Sequence, residues 1–450
     1  MSNLFNHKSA IGNNDYHANH FDFIQDETNL HACKNLLKTI FSDYTGSIAI
    51  KLWDRKYIIG NDKSECTILF KKQYPLRGLF LHKDLTRLLE AYLCNDISVD
   101  GNMELLFSLI EYLQNIEFSF YDNIKFFLSA LRLHNDKGKV LTSGLTSSSR
   151  KKNNSVESIA HHYDLSNEFY RSFLDPEMVY SCAYFHDHEQ SLADAQKDKL
   201  DYICRKLRLE PGQELLDIGC GWGGLAIWAA QNYGVRVHGI TLSTEQYNYA
   251  VARVNKLQLN DNIRIELLDY RDLPGDIAYD KIVSVGMFEH IGVKNFPVYF
   301  NLIKNLLKPD GLFLNHGITN DKGWLKSYTT QFINKYIFPD GELARISDVT
   351  TSMEDAGFEI IDIEALRPHY VMTLRHWIKL LDKNNEEVIN SVGEHTYKLW
   401  RLYMSGSAYN FKQGSLGIYQ VIACNKRQPW TLPLRREDLY SNQNSSNVSP

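Results

Sequence analysis

The spacing of apolar residues differs between the first and second parts of the chain. Within residues 29–133, HACKNLLKTIF predicts a short helix, GSIAIKLWD and RKYIIG predict a hairpin, and CTILFKK and PLRGLFL predict further strands. Two helical runs follow, DLTRLLEAYLCND and MELLFSLIEYLQNIEF. Strands followed by helices are typical of a small α+β domain rather than of a repeated βαβ unit.

From residue 156 onwards, strand-like runs alternate with amphipathic helical runs: ELLDIG, LAIWAAQNY, VRVHGI, TEQYNYAVARV, IRIELL, DKIVSV, PVYFNLIKNLL and GLFLNHGI. This alternation predicts an α/β fold, a doubly wound parallel sheet with helices on both faces. VTTSMEDAGF predicts a late helix, and EIIDIEAL and LGIYQVIACN predict the last strands. Residues 323–345 interrupt the alternation with an aromatic helical insert, placed where a cover over a ligand is expected.

These patterns divide the chain into five segments. We expect a polar, loosely ordered leader at 1–28, the small α+β domain at 29–133, a linker at 134–155, the α/β domain at 156–430 and a polar tail at 431–450. The linker carries the cations Arg150, Lys151 and Lys152. They are either a solvated hinge or a contact with anionic lipid headgroups.

Composition narrows the class of protein. With 450 residues, 44% of them hydrophobic and 12% aromatic, the chain can bury a sizeable core, which excludes a small binding module or a disordered protein. A net charge of −5 gives no general attraction to nucleic acid. The seven cysteines form no CxxC pair, which favours neither a disulfide framework nor a metal site and fits a reducing cytoplasm. No signal peptide and no spanning apolar run are evident.

A glycine-rich loop follows a predicted buried strand in ELLDIGCGWGG. Glycines at 219, 221, 223 and 224 allow a tight turn and the close approach of a ligand to the backbone. The loop alone is ambiguous between a dinucleotide and S-adenosylmethionine. Asp217 would repel a pyrophosphate but could face a sulfonium, and Thr241 stands where a dinucleotide enzyme would place an acid. These neighbours favour S-adenosylmethionine.

Eight segments in order resemble one family. They are HHYDLSNEFYRSFLDPEMVYSCAYF, LLDIGCGWGGLAIWAA, GITLSTEQ, LLDYRDL, VSVGMFEHIG, FLNHGIT, KYIFPDGEL and PHYVMTLRHW. Together they resemble the cyclopropane-fatty-acyl-phospholipid synthases and the mycolic acid cyclopropane synthases over residues 156–427, and more weakly over the N-terminal domain. The resemblance implies a class I S-adenosylmethionine methyltransferase with a substrate-covering helical insert, a cis-unsaturated acyl substrate and a bicarbonate ion.

The resemblance also implies roles for individual residues. Cofactor contacts are implied for Tyr180, Ser181, Asp217, Gly219, Gly221, Thr241, Leu242, Gln246, Tyr270 and Arg271. A bicarbonate pocket, with bicarbonate as the base, is implied for Cys182, Glu289, His316, Ile318 and Tyr370. Ser407 departs from the family, because relatives often have a cysteine there.

Methyl transfer to an alkene requires alignment, a site that tolerates a carbocation, and exclusion of water. Aromatic faces attract such cations. The rings expected to serve as this wall are Tyr163, Phe169, Tyr184, Phe185 and Phe288, although any one of them could equally be core packing. In the insert, Phe332 and Tyr336 are expected to line an acyl tunnel or to enter the membrane surface.

The resemblance therefore implies an enzyme that adds methylene from S-adenosylmethionine across cis double bonds of phospholipid acyl chains. It further implies a cytoplasmic protein at the inner face of the membrane, a homodimer, and no nucleic-acid partner. Two alternatives stay open at this point: a methyltransferase that makes a methyl branch or methylates a small amine, and a lipid-binding protein without catalysis. The intact glycine loop and the five pocket residues argue against the last.

Overall fold

The computed structural model describes residues 14–82, 86–117, 119–133, 165–275, 277–323, 342–427, 429–430 and 432–440. The chain divides into two compact units, residues 1–148 and 149–450. The predicted linker 134–155 lies outside the described residues, so its boundaries stay a prediction.

The N-terminal unit contains helices and a small mixed sheet. Its elements are α1 (Asn14–Ile40), β1 (Ile48–Lys51), β2 (Tyr57–Ile59), β3 (Cys66–Phe70), α2 (Tyr74–His82), α3 (Thr86–Leu93), β4 (Ile97–Gly101), α4 (Glu104–Asn115) and α5 (Phe120–Arg132). The sheet order is β2-β1-β3-β4. The β1–β2 and β3–β4 pairs are antiparallel and the β1–β3 pair is parallel. The predicted hairpin is present.

Three local expectations for this unit differ from the structure. PLRGLFL forms helix α2 rather than a strand, because Pro75 is compatible with a first helical turn and Leu76 and Leu79 are buried one turn apart. The expected loose leader is helical from Asn14, since extending a helix that is already packed costs little. Strand β4 was not predicted, because the alternation of apolar and polar residues at 97–100 is only four residues long.

The second unit is built around a seven-stranded sheet. Its elements are α6 (Asn167–Arg171), α7 (Leu192–Lys206), β5 (Glu214–Ile218), α8 (Gly224–Tyr233), β6 (Arg236–Thr241), α9 (Thr244–Lys256), β7 (Ile263–Leu267), β8 (Tyr279–Val285), α10 (Phe296–Leu306), β9 (Leu307–Asn320), α11 (Ile346–Asp355), β10 (Phe358–Ala365), α12 (Arg367–Lys383), α13 (Asn385–Val392), α14 (Glu394–Gln413) and β11 (Leu416–Asn425).

Strand order in this sheet is β10-β11-β9-β8-β5-β6-β7. Strands β7, β6, β5, β8 and β9 pair in parallel, and β11 runs antiparallel between β9 and β10. Alternate residues of β5 enter two different cores, with Leu215 on one face and Leu216 on the other. The predicted doubly wound α/β fold is confirmed. Strands β6 and β7 are added on one side of β5 and strands β8 and β9 on the other, so the strand order reverses between β5 and β8, where such folds bind ligands.

Helices α12, α13 and α14 come between β10 and β11 in the sequence, and they form a third hydrophobic core with residues 165–195. This core is rich in aromatic side chains, including Phe169, Tyr170, Trp377 and Trp400. Most of the predicted insert, 324–341, lies outside the described residues. Among the helices that the structure describes, none is long and apolar enough to cross a membrane.

Candidate active site

The glycine loop after β5 is shaped to receive a ligand. Gly219, Gly221 and Gly223 all have positive φ, at +80°, +56° and +81°. The backbone N–H groups of Gly219 and Cys220 both donate to the carbonyl of Ile240 at 2.9 Å, which fixes the turn against β6. A Cβ on Gly221 would meet no atom within 4 Å. The loop therefore presents bare backbone to an open cavity.

Asp217 is the buried carboxylate beneath this loop. Its Oδ2 atom has no hydrogen-bond partner. Burial raises the pKa of Asp217 to about 7, and the ammonium of Lys199 opposes that rise. A buried carboxylate with an unsatisfied oxygen favours a cationic or hydrogen-bond-donating ligand.

Lys199 of α7 was missed in the sequence because it belongs to no motif. Its Nζ atom donates to Ser181 Oγ at 2.8 Å. Burial lowers the pKa of Lys199 to about 8, while Asp175, Cys182 and Asp217 act to raise it. Lys199 therefore still carries most of its charge at neutral pH.

The end of β6 and the start of α9 supply a third part of the cavity. Thr241 Oγ1 donates to Gln246 Oε1 at 2.8 Å, and it accepts from the backbone N–H of Ser243 at 3.3 Å. Ser243 caps α9 by accepting from the backbone N–H of Gln246 at 3.3 Å. The three polar side chains are thus held in fixed positions beside the glycine loop.

Tyr270 and Arg271 follow β7 in a short 3₁₀ turn, Tyr270–Asp272. Asp269 holds this turn by accepting from Arg271 Nε at 2.9 Å and from the second guanidinium nitrogen at 2.6 Å. The rings of Tyr270 and Tyr299 pack edge to face, with their centres 5.2 Å apart. Tyr270 is therefore fixed as one wall of the cavity.

These elements enclose one cavity of about 240 Å³ at the carboxyl ends of β5, β6 and β8. All ten residues predicted to contact S-adenosylmethionine line it: Tyr180, Ser181, Asp217, Gly219, Gly221, Thr241, Leu242, Gln246, Tyr270 and Arg271. The polar or aromatic lining residues that the sequence did not predict include Lys199, Trp222, Ser243, Asp269, His290 and Asn295. The open space at Gly221 and the unsatisfied oxygen of Asp217 fit S-adenosylmethionine.

A second cluster of buried polar groups begins at Glu289, just after β8. Glu289 Oε1 accepts from the backbone N–H of Ile318 at 2.8 Å, and Oε2 has no partner. Burial raises the pKa of Glu289 to about 7, although the N–H of Ile318 acts against this. One carboxylate oxygen is thus fixed and the other is available to a ligand.

His316 lies two residues before Ile318 on β9. Its Nδ1 atom is 3.2 Å from the Nε2 amide nitrogen of Gln420 on β11, and its Nε2 atom has no partner. Burial lowers the pKa of His316 well below its usual value, so the ring is neutral at pH 7. With the Gln420 amide donating to Nδ1, the His316 proton resides on Nε2 and is available for donation.

Backbone contacts connect the other predicted pocket residues. The Cys182 thiol donates to the carbonyls of Ala183 at 3.3 Å and Leu366 at 3.9 Å. The carbonyl of Leu366 also accepts from the backbone N–H of Tyr370, and the backbone N–H of Leu366 donates to the carbonyl of Ile418. Ile418 pairs with Ile318 in the β9–β11 ladder. The fold therefore brings Cys182, Glu289, His316, Ile318 and Tyr370 into one neighbourhood.

Burial also raises the pKa of the Cys182 thiol, which keeps it protonated. Cys182 is therefore a hydrogen-bonding wall rather than a nucleophile. Lys199 interacts electrostatically with both Cys182 and His316 as well as with Asp217. One ammonium group thus acts on the cofactor cavity and on the second cluster, where it favours an anion.

Tyr403 of α14 was also missed, and it joins the two regions. Burial raises its pKa to about 12, hydrogen bonds with Ser407 and Tyr180 act against this, and the nearby Glu289 adds to it. Ser407, the departure from the family pattern, is therefore a hydrogen-bond partner at the site rather than a bystander.

The predicted aromatic wall is placed differently. Phe169, Tyr184, Phe185 and Phe288 do not line the cavity. Phe169 is enclosed among Tyr170, Phe173 and Trp400. Tyr184 packs on Tyr202 and His369, and Phe185 faces His369 and His376. Phe288 packs on Gly317 and Phe296. Tyr163, Phe332 and Tyr336 lie outside the described residues.

Other rings connect the cofactor cavity to the second cluster. Tyr180 lines the cavity, and its ring centre is 5.1 Å from that of Trp377. The ring centre of Trp377 is in turn 6.1 Å from that of Tyr370. Tyr370 contacts Phe411 at 4.7 Å. No sequence pattern indicates this row, because α12 and α14 are brought together only by the folded chain.

A doubly wound sheet, a glycine loop after its first strand, and an acidic side chain beneath the loop define an S-adenosylmethionine-dependent methyltransferase. Residues 109–421 match the family described as mycolic acid cyclopropane synthetase. The chain belongs to this family, which confirms the resemblance seen in the sequence.

Two relatives show how far the similarity extends. The chain is 38% identical over 401 residues to a probable fatty acid methyltransferase of Pseudomonas putida, covering 87% of this chain and 96% of the relative. It is 41% identical over 261 residues to the cyclopropane-fatty-acyl-phospholipid synthase of Escherichia coli K12, covering 58% of this chain and 66% of the relative.

A solved structure covers the second unit. The mycolic acid cyclopropane synthase CmaA1, crystallised with SAH and CTAB, is 35% identical with a TM-score of 0.56. The match covers 60% of this chain and 97% of that protein.

Proposed function

We propose that this enzyme adds a methylene group to the cis double bond of an unsaturated phospholipid acyl chain and forms a cyclopropane, with bicarbonate as the base. The observation that carries this proposal is the pair of unsatisfied atoms, Glu289 Oε2 and His316 Nε2, buried beside a cofactor cavity. Membership of the cyclopropane synthase family supports it.

Bound S-adenosylmethionine supplies an electrophilic methyl group, whose carbon becomes the ring CH₂ once one of its protons is lost. The glycine loop and Asp217 would hold this cofactor. Trp377 and Tyr370 are buried and Tyr180 is partly buried. This row of rings would keep water from the reacting double bond, where it would trap a carbocation. The electron-rich ring faces also stabilise positive charge by about 0.5–2 kcal/mol each.

The second cluster fits bicarbonate. Glu289 Oε2 can accept from the hydroxyl of that ion, His316 Nε2 can donate to an oxygen, and Lys199 offsets the negative charge. The Tyr370 hydroxyl is the remaining donor that the family resemblance assigns, whereas the Cys182 thiol donates to backbone carbonyls and forms part of the pocket wall. Bicarbonate held there would supply the base that accepts the methyl proton.

A methyl-branched product is the second candidate, because the Pseudomonas putida relative is named a probable fatty acid methyltransferase. Both products gain 14 Da, but only the cyclopropane has lost the double bond. Expression in a host without its own cyclopropane synthase, followed by mass and NMR analysis of fatty-acid methyl esters, separates them. A product that keeps its double bond would contradict the cyclopropane assignment.

Purified enzyme tests the base directly. In buffer freed of CO₂, turnover on lipid vesicles should fall and return when bicarbonate is added. Turnover that is indifferent to bicarbonate would remove that ion from the proposal while leaving the methyl transfer intact.

A further inference from the structure

Helix α5, the last helix that the structure describes in the N-terminal unit, exposes an apolar face. Its five largest exposed apolar side chains are 42–66% exposed: Tyr121, Ile124, Phe127, Leu128 and Leu131. Spacings of three and four residues place them on one side of the helix. The opposite side is packed, with Phe126, Ala130 and Leu133 buried. The exposed face is therefore a continuous stripe over three turns rather than a set of scattered residues.

Cations border this stripe. Lys125 and Arg132 are exposed. The Lys125 ammonium is 4.5 Å from the centre of the Tyr121 ring, and Arg132 lies at the C-terminal end of the helix. The sequence that follows, 134–152, carries five cations and one acid, in a chain of net charge −5. Among the described residues, the two cations Lys125 and Arg132 thus flank the apolar stripe.

An apolar helical face with cations along its border matches the chemistry of an anionic phospholipid surface. A second copy of the chain would cover the apolar side chains too, but a two-fold interface through one helix brings the same face of both copies together. Lys125 and Arg132 would then meet their own counterparts and repel them. Lipid phosphates would instead neutralise them.

This inference rests on the proposed function, which places the substrate in a bilayer. We propose that α5 docks the enzyme on anionic phospholipid, with Phe127, Leu128 and Leu131 entering the acyl boundary and Lys125 and Arg132 at the level of the phosphates. Docking then holds the catalytic unit at the surface from which it takes acyl chains.

The test uses the full chain and co-sedimentation with vesicles of phosphatidylglycerol and phosphatidylcholine. Phe127→Gln/Leu131→Gln removes apolar contact while keeping residues that favour a helix. We expect it to weaken vesicle binding at least about tenfold. The matched control is Leu257→Gln/Leu434→Gln, which changes side chains that are 39% and 96% exposed in the other unit and should bind vesicles normally.

A second pair separates the electrostatic part. Lys125→Gln/Arg132→Gln should weaken binding to anionic vesicles about fivefold for each lost cation at low salt, and much less at high salt or on pure phosphatidylcholine. Vesicle binding that is unchanged in both α5 pairs would overturn the proposal. So would a change in oligomeric state of Phe127→Gln/Leu131→Gln, measured by sedimentation velocity, because it would make the stripe a subunit interface.

Turnover on detergent-dispersed phospholipid distinguishes this inference from the proposed function. If docking is correct, the α5 variants lose turnover on vesicles and keep it in detergent. If wild-type enzyme makes no product in detergent although it binds vesicles through α5, the proposed function fails and the docking surface stands.

Discussion

The two units of the chain differ in what they leave unsatisfied. In the catalytic unit buried polar atoms lack hydrogen-bond partners, among them atoms of Asp217, Glu289 and His316. The large apolar side chains that this unit exposes, such as Leu257 and Leu434, are scattered along the chain. Within the described part of the N-terminal unit, large apolar side chains are exposed to solvent, and five of them lie on α5. Buried polar atoms without partners point to a small polar ligand, and exposed apolar stripes point to a surface. The contrast assigns chemistry to one unit and location to the other.

The reach of the relatives follows the same division. The CmaA1 structure matches 60% of this chain, whereas the Pseudomonas putida relative aligns with 87% of it. The family match, residues 109–421, lies mostly within the second unit, residues 149–450.

The largest effect is expected at Glu289. Glu289→Gln keeps the shape of the side chain but lacks an anionic oxygen, so product formation should fall about 10²–10⁴-fold. Affinity for S-adenosylmethionine and vesicle binding should stay within about twofold. Product assays, calorimetry and co-sedimentation measure these three quantities. Near-normal product formation would remove Glu289 from the mechanism.

Next in size is the glycine loop. Gly221→Val fills the open space that faces the cavity and should weaken S-adenosylmethionine binding about 100-fold, or about 2.8 kcal/mol. Gly212→Val is a matched control, because Gly212 also has positive φ, at +83°, and a Cβ there would also meet nothing within 4 Å. Gly212 does not line the cavity. Equal losses in both variants would show backbone strain rather than a blocked site.

Asp217 should give a smaller, pH-dependent effect. The ionised carboxylate attracts the cationic cofactor, and the pKa of Asp217 is raised to about 7 by burial. Affinity should therefore fall as pH drops below about 7, by up to tenfold per pH unit.

Asp217→Asn should bind about tenfold more weakly at pH 7.5 and lose this pH dependence. Calorimetry between pH 5.5 and 7.5 keeps Lys199 mostly charged, because burial lowers its pKa only to about 8. A pH profile unchanged in Asp217→Asn would assign the dependence to another group.

Changing α5 should have the smallest effect on cofactor affinity. Phe127→Gln/Leu131→Gln alters only the unit without the cofactor cavity, so affinity for S-adenosylmethionine should stay within about twofold of the wild-type value. Calorimetry on the full-length variant measures it. A large loss of cofactor affinity would mean that the division of labour between the two units is wrong.

The sequence predicted the cofactor cavity better than the aromatic wall, for a physical reason. Residues such as Gly221, Thr241 and Tyr270 directly follow parallel strands, and the ends of those strands meet at one edge of the sheet. Phe169 and Tyr184 are set by packing between segments far apart in the chain. No local pattern states which way such rings face.

Residues without a motif were also missed. Lys199 occupies an ordinary helical position in α7, and only the fold shows that its ammonium reaches Ser181. Tyr403 is likewise recognisable only once α14 is packed beside Tyr180. The strand predicted over PLRGLFL failed because a short apolar run has no period that separates strand from helix.

The row of rings beside the cavity has an optical consequence. Trp222 lines the cavity itself, and Trp377 lies against Tyr180, which also lines it. Trp400 also lies against Tyr180, with the ring centres 6.0 Å apart. Among the tryptophans that the structure describes, these three are therefore placed to sense a ligand in the cavity. The protein carries its own fluorescent reporter, so that cofactor binding and release can be followed in real time without a label.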